Sequence, residues 1–138
     1  MEQQNKKGER NKTGALGEEI ATKYLGKLSF IVIERNYLKK WGEIDIVARG
    51  TDGKVHFVEV KTVSYETKDD LNKAISRGTW RPEENVHYSK IKRLTRAIES
   101  WIIENGCEDE WEIDVLAIRV VPREKYASVK YLSNVILE

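Results

Sequence analysis

Residues 14–28, GALGEEIATKYLGKL, set Leu16, Ile20, Tyr24 and Leu28 four apart, and Ala21 and Leu25 widen the stripe. That repeat predicts a helix with one face on a core. At about 100° per residue, Glu18 falls beside Leu25 on the rim of that face, while Glu19 points to water. The period then changes to two. FIVIERNY (30–37) reads as a strand, Lys39-Lys40-Trp41-Gly42 as a turn, and 43–49 and 54–62 as two more strands joined by Gly50-Thr51-Asp52-Gly53. Such a linker between apolar runs marks a hairpin, so the three runs predict an antiparallel meander. Residues 63–85 are polar and poorly periodic. KDDLNKAIS has room for a helical turn or two, and Gly78 and Pro82 favour loop. A second helix is predicted over 86–105, with Ile91, Leu94, Ile98, Trp101 and Ile102 on one face and Asn105-Gly106 as the stop signal. Lys90 edges that face; Lys92, Arg93 and Arg96 lie outside it. WEIDVLAIRVV is apolar on both faces in its second half, as a covered central strand would be. Residues 128–136 form a weaker last strand.

The length of 138 residues suits one domain. It is expected over 14–138, behind a flexible basic N-terminal arm over 1–13. No apolar run approaches the roughly 20 residues a membrane span needs, and the polar N-terminus lacks the apolar centre of a signal peptide. Cys107 is the single cysteine. It excludes an internal disulfide and a cysteine zinc cluster, fits a reducing cytoplasm, and is read as a surface or turn thiol. The net charge of +1 does not announce a nucleic-acid binder, but its distribution is uneven. From Arg77 to Arg96 six basic residues face two acidic ones; from Ala97 to Leu116 there are seven acidic residues and no basic one. A basic surface and an ordinary solvated helix face both fit the first run.

GEIDIVARGTDGKVHFVEVK places Asp45, Glu59 and Lys61 inside the apolar runs of the hairpin. Alternation sets Glu59 and Lys61 on one face with Phe57, and a tight hairpin brings Asp45 beside Glu59, with roughly 5 Å between their Cβ atoms. Two carboxylates that close repel unless positive charge lies between them. Lys61 supplies one charge and a divalent cation would supply two. Carboxylate-only ligation favours Mg²⁺ or Mn²⁺ over zinc, and such a site suits phosphodiester hydrolysis. Glu18 adds a third carboxylate if its helix packs on the same face. The same residues also fit a solvated ion pair on a wet sheet face, with Asp45 a turn-side residue.

The ordered set GALGEEIATKYL, ERNYLKKWGEIDIVA, VHFVEVKT, SKIKRLTRAI and IDVLAI resembles the YraN-like family of small bacterial proteins, over roughly residues 14–120. That family is similar in core to PD-(D/E)xK nucleases, in particular the archaeal Holliday-junction resolvases. The resemblance implies an α/β restriction-endonuclease-like core: helix, three-stranded meander, helix and strand, with a mixed sheet flanked by helices. It implies a Mg²⁺- or Mn²⁺-dependent endonuclease acting on DNA, branched DNA included. Asp45, Glu59 and Glu18 would be metal ligands, and Lys61 would complete the catalytic set. Lys90 matches a basic position facing the site or substrate, Glu43 a ligand or structural partner, and Asp114 a structural position. The segment between Lys61 and Lys90 is longer than the family pattern and lacks its arginine run. His56 stands where an aliphatic residue is expected and is read as a surface imidazole.

Trp101 and Trp111 read as core residues. Trp41, beside Lys39 and Lys40, and Trp80, between Arg77 and Arg81, are the stacking candidates. With Lys90 and Arg93 they make the expected nucleic-acid contacts. A homodimer is the expectation by analogy with resolvases acting on two-fold junctions. Two alternatives stand beside the nuclease: a nucleic-acid-binding module that does not cleave, and a protein-interaction role in which the acidic stretch 99–114 recruits a basic partner.

Overall fold

The computed structural model describes residues 2–77 and 88–135. Helix α1 (Glu2–Lys27) leads to strands β1 (Ile31–Lys39), β2 (Gly42–Arg49) and β3 (Val55–Ser64). Helices α2 (Lys68–Arg77) and α3 (Tyr88–Asn105) precede β4 (Trp111–Val121), a 3₁₀ turn (Pro122–Glu124) and β5 (Tyr126–Leu132). The five strands form one sheet in the order β1-β2-β3-β4-β5. β1, β2 and β3 are the predicted antiparallel meander; β4 runs parallel to β3, and β5 antiparallel to β4. This is a mixed sheet flanked by helices, consistent with a restriction-endonuclease-like core. No described helix is long and apolar enough to cross a membrane.

Two apolar layers flank the sheet. On one face Leu94, Ala97, Ile98 and Trp101 of α3 pack on Tyr37, Ile44, Val47, Val55 and Phe57. On the other, Ala21 and Leu25 of α1 pack on Ile46, Ala48, Val58, Leu116 and Ile118. The α3 stripe is the predicted one. The α1 stripe is rotated: Leu16 and Leu28 are exposed, and the buried row is Gly17, Ala21 and Leu25. Small residues win this row because the helix lies close to the sheet. A Cβ on Gly17 would come within 1.8 Å of Thr62 Oγ1. Gly42 plays the same part under α3, where a Cβ would meet the Arg93 carbonyl oxygen at 1.8 Å.

Other expectations change. Residues 2–13, expected as an arm, continue α1. The helical turn or two expected after β3 is the ten-residue helix α2, and the last strand starts at Tyr126, two residues early. Trp111, expected in the core, is half-exposed: it opens β4 at the sheet's end, where its ring meets that of Phe57 edge to face. Cys107 is half-buried, because the turn after α3 folds it against the Trp101 layer. Gly78, Trp80, Arg81 and Pro82 lie outside the described residues.

Candidate functional site

β2 and β3 are paired from Arg49↔Val55 to Ile46↔Val58 and part there. Asp45 and Glu59 would form the next pair. They were expected as directly facing neighbours, but the ladder ends one step short of them. The Asp45 carboxylate takes the place of a ladder acceptor: its Oδ2 accepts the Val60 N–H at 2.8 Å. An acid is thereby drawn into the opening between two strands, largely out of water.

Glu59, 5 % exposed, lies on the α3 side with Phe57. Its Oε1 receives two lysines, Lys90 Nζ from the first turn of α3 at 2.5 Å and Lys61 Nζ at 3.8 Å. Glu18 comes from α1, which covers the opposite face of the sheet from Phe57. The parted strands still leave it in electrostatic range of Asp45. Groups from both faces therefore meet at one opening. An open groove of about 960 Å³ runs from Lys12 and Thr13 along α1 to Glu18 and Val60, with Thr62, Ser64 and Tyr65 on its other wall.

The electrostatics follow from burial and crowding. Asp45 is pushed up to about 8, first by burial and then by the Glu59 carboxylate, with Glu18 adding to it; the Val60 N–H and Lys90 pull the other way. Burial lowers Lys61, and the neighbouring Lys90 lowers it further. Lys90 is raised: burial opposes its charge, but Glu59 more than offsets that. The centre thus carries three carboxyl groups against two ammonium groups in a partly dry setting. Carboxylate oxygens are the hard donors that Mg²⁺ or Mn²⁺ takes, and Asp45, Glu59 and Glu18 are the residues here that could hold one.

Sequence reasoning grouped Asp45, Glu59, Lys61, Glu18 and Lys90; in the structure Lys61 and Lys90 pair with Glu59, and Glu59, Glu18 and Lys90 act on Asp45 through space. The other expected contacts are scattered. Lys39 pairs with Glu104 at 3.3 Å and lies over the Tyr37 ring. Lys40 is exposed, and half-exposed Trp41 donates from its indole nitrogen to Ser100 Oγ at 3.1 Å. Arg77 is exposed at the end of α2, Arg93 on the outer side of α3, and Glu43 on β2.

Two features were missed. Asn36 of β1 faces Glu18 and is taken up below. The second is a buried polar cluster at the far end of the β2–β3 hairpin. His56, expected at the surface, is 3 % exposed. Its Nδ1 lies 2.6 Å from Asp114 Oδ2 and its Nε2 3.2 Å from both oxygens of Asp52. Asp114 also accepts the Tyr131 hydroxyl at 2.5 Å and the Asn134 N–H at 2.9 Å. Phe30 packs edge-on to the imidazole at 4.8 Å. Among the described residues, Asp52, His56 and Glu112 bring ligand-type atoms within 4.8 Å of one another. The signal was hidden because it is non-local: only the parallel register of β3 and β4 sets His56 opposite Glu112 and Val58 opposite Asp114.

The model of the uncharacterised protein family UPF0102 matches residues 17–118. The chain belongs to this family. A UPF0102 protein of Campylobacter concisus (strain 13826) is 32% identical over 122 residues, covering 87% of this chain and 92% of that protein. One from Alkaliphilus oremlandii is 32% identical over 126 residues, 89% of this chain and 96% of its own. One from Dictyoglomus turgidum is 33% identical over 122 residues, 88% and 93% respectively. The YraN-like resemblance is thereby established as membership. The UPF0102 span contains Glu18, Asn36, Asp45, Glu59, Lys61 and Lys90, while the family's name states no activity.

Proposed function

We propose that this UPF0102 protein is a divalent-metal-dependent nuclease that hydrolyses phosphodiester bonds in DNA, branched DNA among its substrates. The observation that carries the reading is the convergence of Asp45, Glu59, Lys61 and Lys90 where β2 and β3 part, with Glu18 in range. Asp45 and Glu59, with Glu18, would hold Mg²⁺ or Mn²⁺. When bound, such an ion activates water and stabilises charge building on a phosphate. The chain's own groups do the rest. The Val60 N–H fixes the Asp45 carboxylate. Lys61 sits beside Glu59, where its ammonium can orient a water or neutralise a phosphate oxygen. Lys90, the second cation on Glu59, enters from the outer end of α3, and its half-exposed side chain can swing to a phosphate backbone. The groove beside Glu18 gives a polynucleotide a path to the opening.

A second reading draws on the same two lysines. Glu59 is already neutralised by Lys90, so the fold could keep its charges satisfied and bind nucleic acid without cutting it. Binding would then weaken steeply with salt. The acidic stretch gives less support to a protein-docking role than its composition suggested. Glu104 pairs with Lys39, Asp109 with Arg49, and Asp114 with His56.

Incubation with single-stranded, duplex and four-way-junction DNA in Mg²⁺ or Mn²⁺ separates the readings. Cleavage by the parent that falls to background in Asp45→Asn and Glu59→Gln is the expected result. Salt-sensitive binding with intact strands would favour the second reading, and cleavage unaltered by both substitutions would defeat the first.

A further inference from the structure

β1 contains a residue that breaks strand geometry at the site. Arg35 pairs with Ile46 and Tyr37 with Ile44, so Asn36 lies across from Asp45. Its φ is 54°. Strand residues lie near −120° to −140°, and a left-handed residue other than glycine is uncommon, with asparagine among the more tolerant. Tyr37, next along, is directed into the α3 layer, where its hydroxyl meets Ser100 Oγ at 2.9 Å. The left-handed step re-aims residue 36 toward α1. With its amide nitrogen turned to the carboxylate, Asn36 donates to Glu18, 3.2 Å from Oε1 and 3.0 Å from Oε2. Arg35 meets Glu19 Oε2 at 3.3 Å. Adjacent residues of β1 thus hold adjacent glutamates of α1.

We propose that Asn36 is a positioning residue that fixes the Glu18 carboxylate toward the Asp45–Glu59 opening. This inference rests on the metal-dependent reading above. The residue type supports it. Lysine or arginine would neutralise Glu18 and spend the negative charge a cation needs. Aspartate would repel it. A neutral amide orients the carboxylate and leaves its charge intact. Glu18 sits on a helix whose close approach to β3 is set by Gly17 against Thr62, so the helix fixes its height and Asn36 its direction. The contribution is that of an outer partner orienting a ligand, which elsewhere is worth about 10–100-fold in metal affinity.

The competing explanation is that Asn36 only tolerates a backbone kink. Asn36→Gly discriminates, because glycine adopts positive φ freely while removing the amide. Calorimetric titration of the full chain with Mn²⁺ would compare the parent, Asn36→Gly, Glu18→Gln and the double variant, with melting temperatures alongside. Expected are a melting temperature close to the parent's for Asn36→Gly, Mn²⁺ affinity down about tenfold, and a double variant no weaker than Glu18→Gln alone. Parental affinity in Asn36→Gly, parental affinity in Glu18→Gln, or fully additive losses would each overturn the assignment while leaving a nuclease centred on Asp45 and Glu59 intact. A parent that binds no Mn²⁺ would overturn the metal-dependent reading itself, and the positioning role with it.

Discussion

Two residues of β3, Phe57 and Val58, separate two buried charged clusters that are partnered differently. Around His56 each polar group has a hydrogen-bonding or ionic partner: the imidazole lies between Asp114 and Asp52 with Glu112 3.4 Å from its Nδ1, and Asp114 is served by a hydroxyl and a backbone N–H as well. At the other cluster Asp45 and Glu59 crowd each other, Glu18 adds to the crowding, and two lysines are drawn to one oxygen of Glu59. A satisfied cluster rigidifies a fold. Carboxyl groups crowded together without hydrogen bonds between them are a cost to the folded state, and such perturbed sites often carry chemistry. The far end of the hairpin holds the sheet together; the parted end is where the proposed nuclease would hold a cation.

Exchanging acid for neutral residue at each end should separate stability from chemistry. Asp114→Ala strands His56, Tyr131 and the Asn134 N–H, and removing one partner of a buried charge pair costs about 3–5 kcal/mol. Denaturant unfolding should show that loss, with Mn²⁺ affinity in the folded fraction unchanged. Asp45→Asn should do the reverse. Its metal-free stability should match the parent's below about pH 4 and exceed it by a margin that grows up to about pH 8 and then levels off. The sign follows from the raised acid: folding favours neutral Asp45, so the parent's stability falls as pH climbs from the ordinary aspartate range, about 4, through about 8. Equal destabilisation by both substitutions would erase the contrast between the two ends.

His56 gives the pH test of the satisfied end. Burial pushes its imidazole down, but hydrogen bonds to Asp114 and Asp52 outweigh burial and raise it. A histidine raised in the folded state contributes stability that is full below the unfolded value of about 6.5 and fades as pH rises through the folded value. The stability gap between parent and His56→Gln should therefore be widest near pH 5.5, at about 1.5–3 kcal/mol for hydrogen bonds to charged groups, and narrow toward pH 9. A gap that widens with pH would mean the imidazole is held neutral.

What the sequence disclosed divides along the same line. Local patterns were legible. The period-two runs, the GTDG turn and the α3 stripe gave the meander and the second helix, and charges set in apolar runs marked Asp45, Glu59 and Lys61. What depended on chain-distant partners was not legible. Leu16 and Leu28 fit a helical stripe as well as Ala21 does; only the close approach at Thr62 shows that Gly17, Ala21 and Leu25 form the buried row. His56 looked like a surface imidazole because Asp114, 58 residues away, supplies its partner through a parallel pairing no hairpin announces. Asn36 looked like an ordinary strand residue because nothing local marks its left-handed step.

The smallest effect concerns the pair beside Asn36 and limits what the β1 grip can be. Arg35 and Glu19 meet at 3.3 Å with side chains 34% and 51% exposed. An ion pair so accessible to water is worth less than about 1 kcal/mol, because solvent screens it and two long side chains must be ordered to make it. Glu19→Gln should therefore lower stability by only a few tenths of a kcal/mol and leave Mn²⁺ affinity as in the parent, whereas Glu18→Gln, one residue away on the same helix, should lower affinity with little change in stability. If Glu19→Gln weakened Mn²⁺ binding as much as Glu18→Gln, the two glutamates would be acting through helix placement alone, and the direction imposed by a single amide would not be what sets the site.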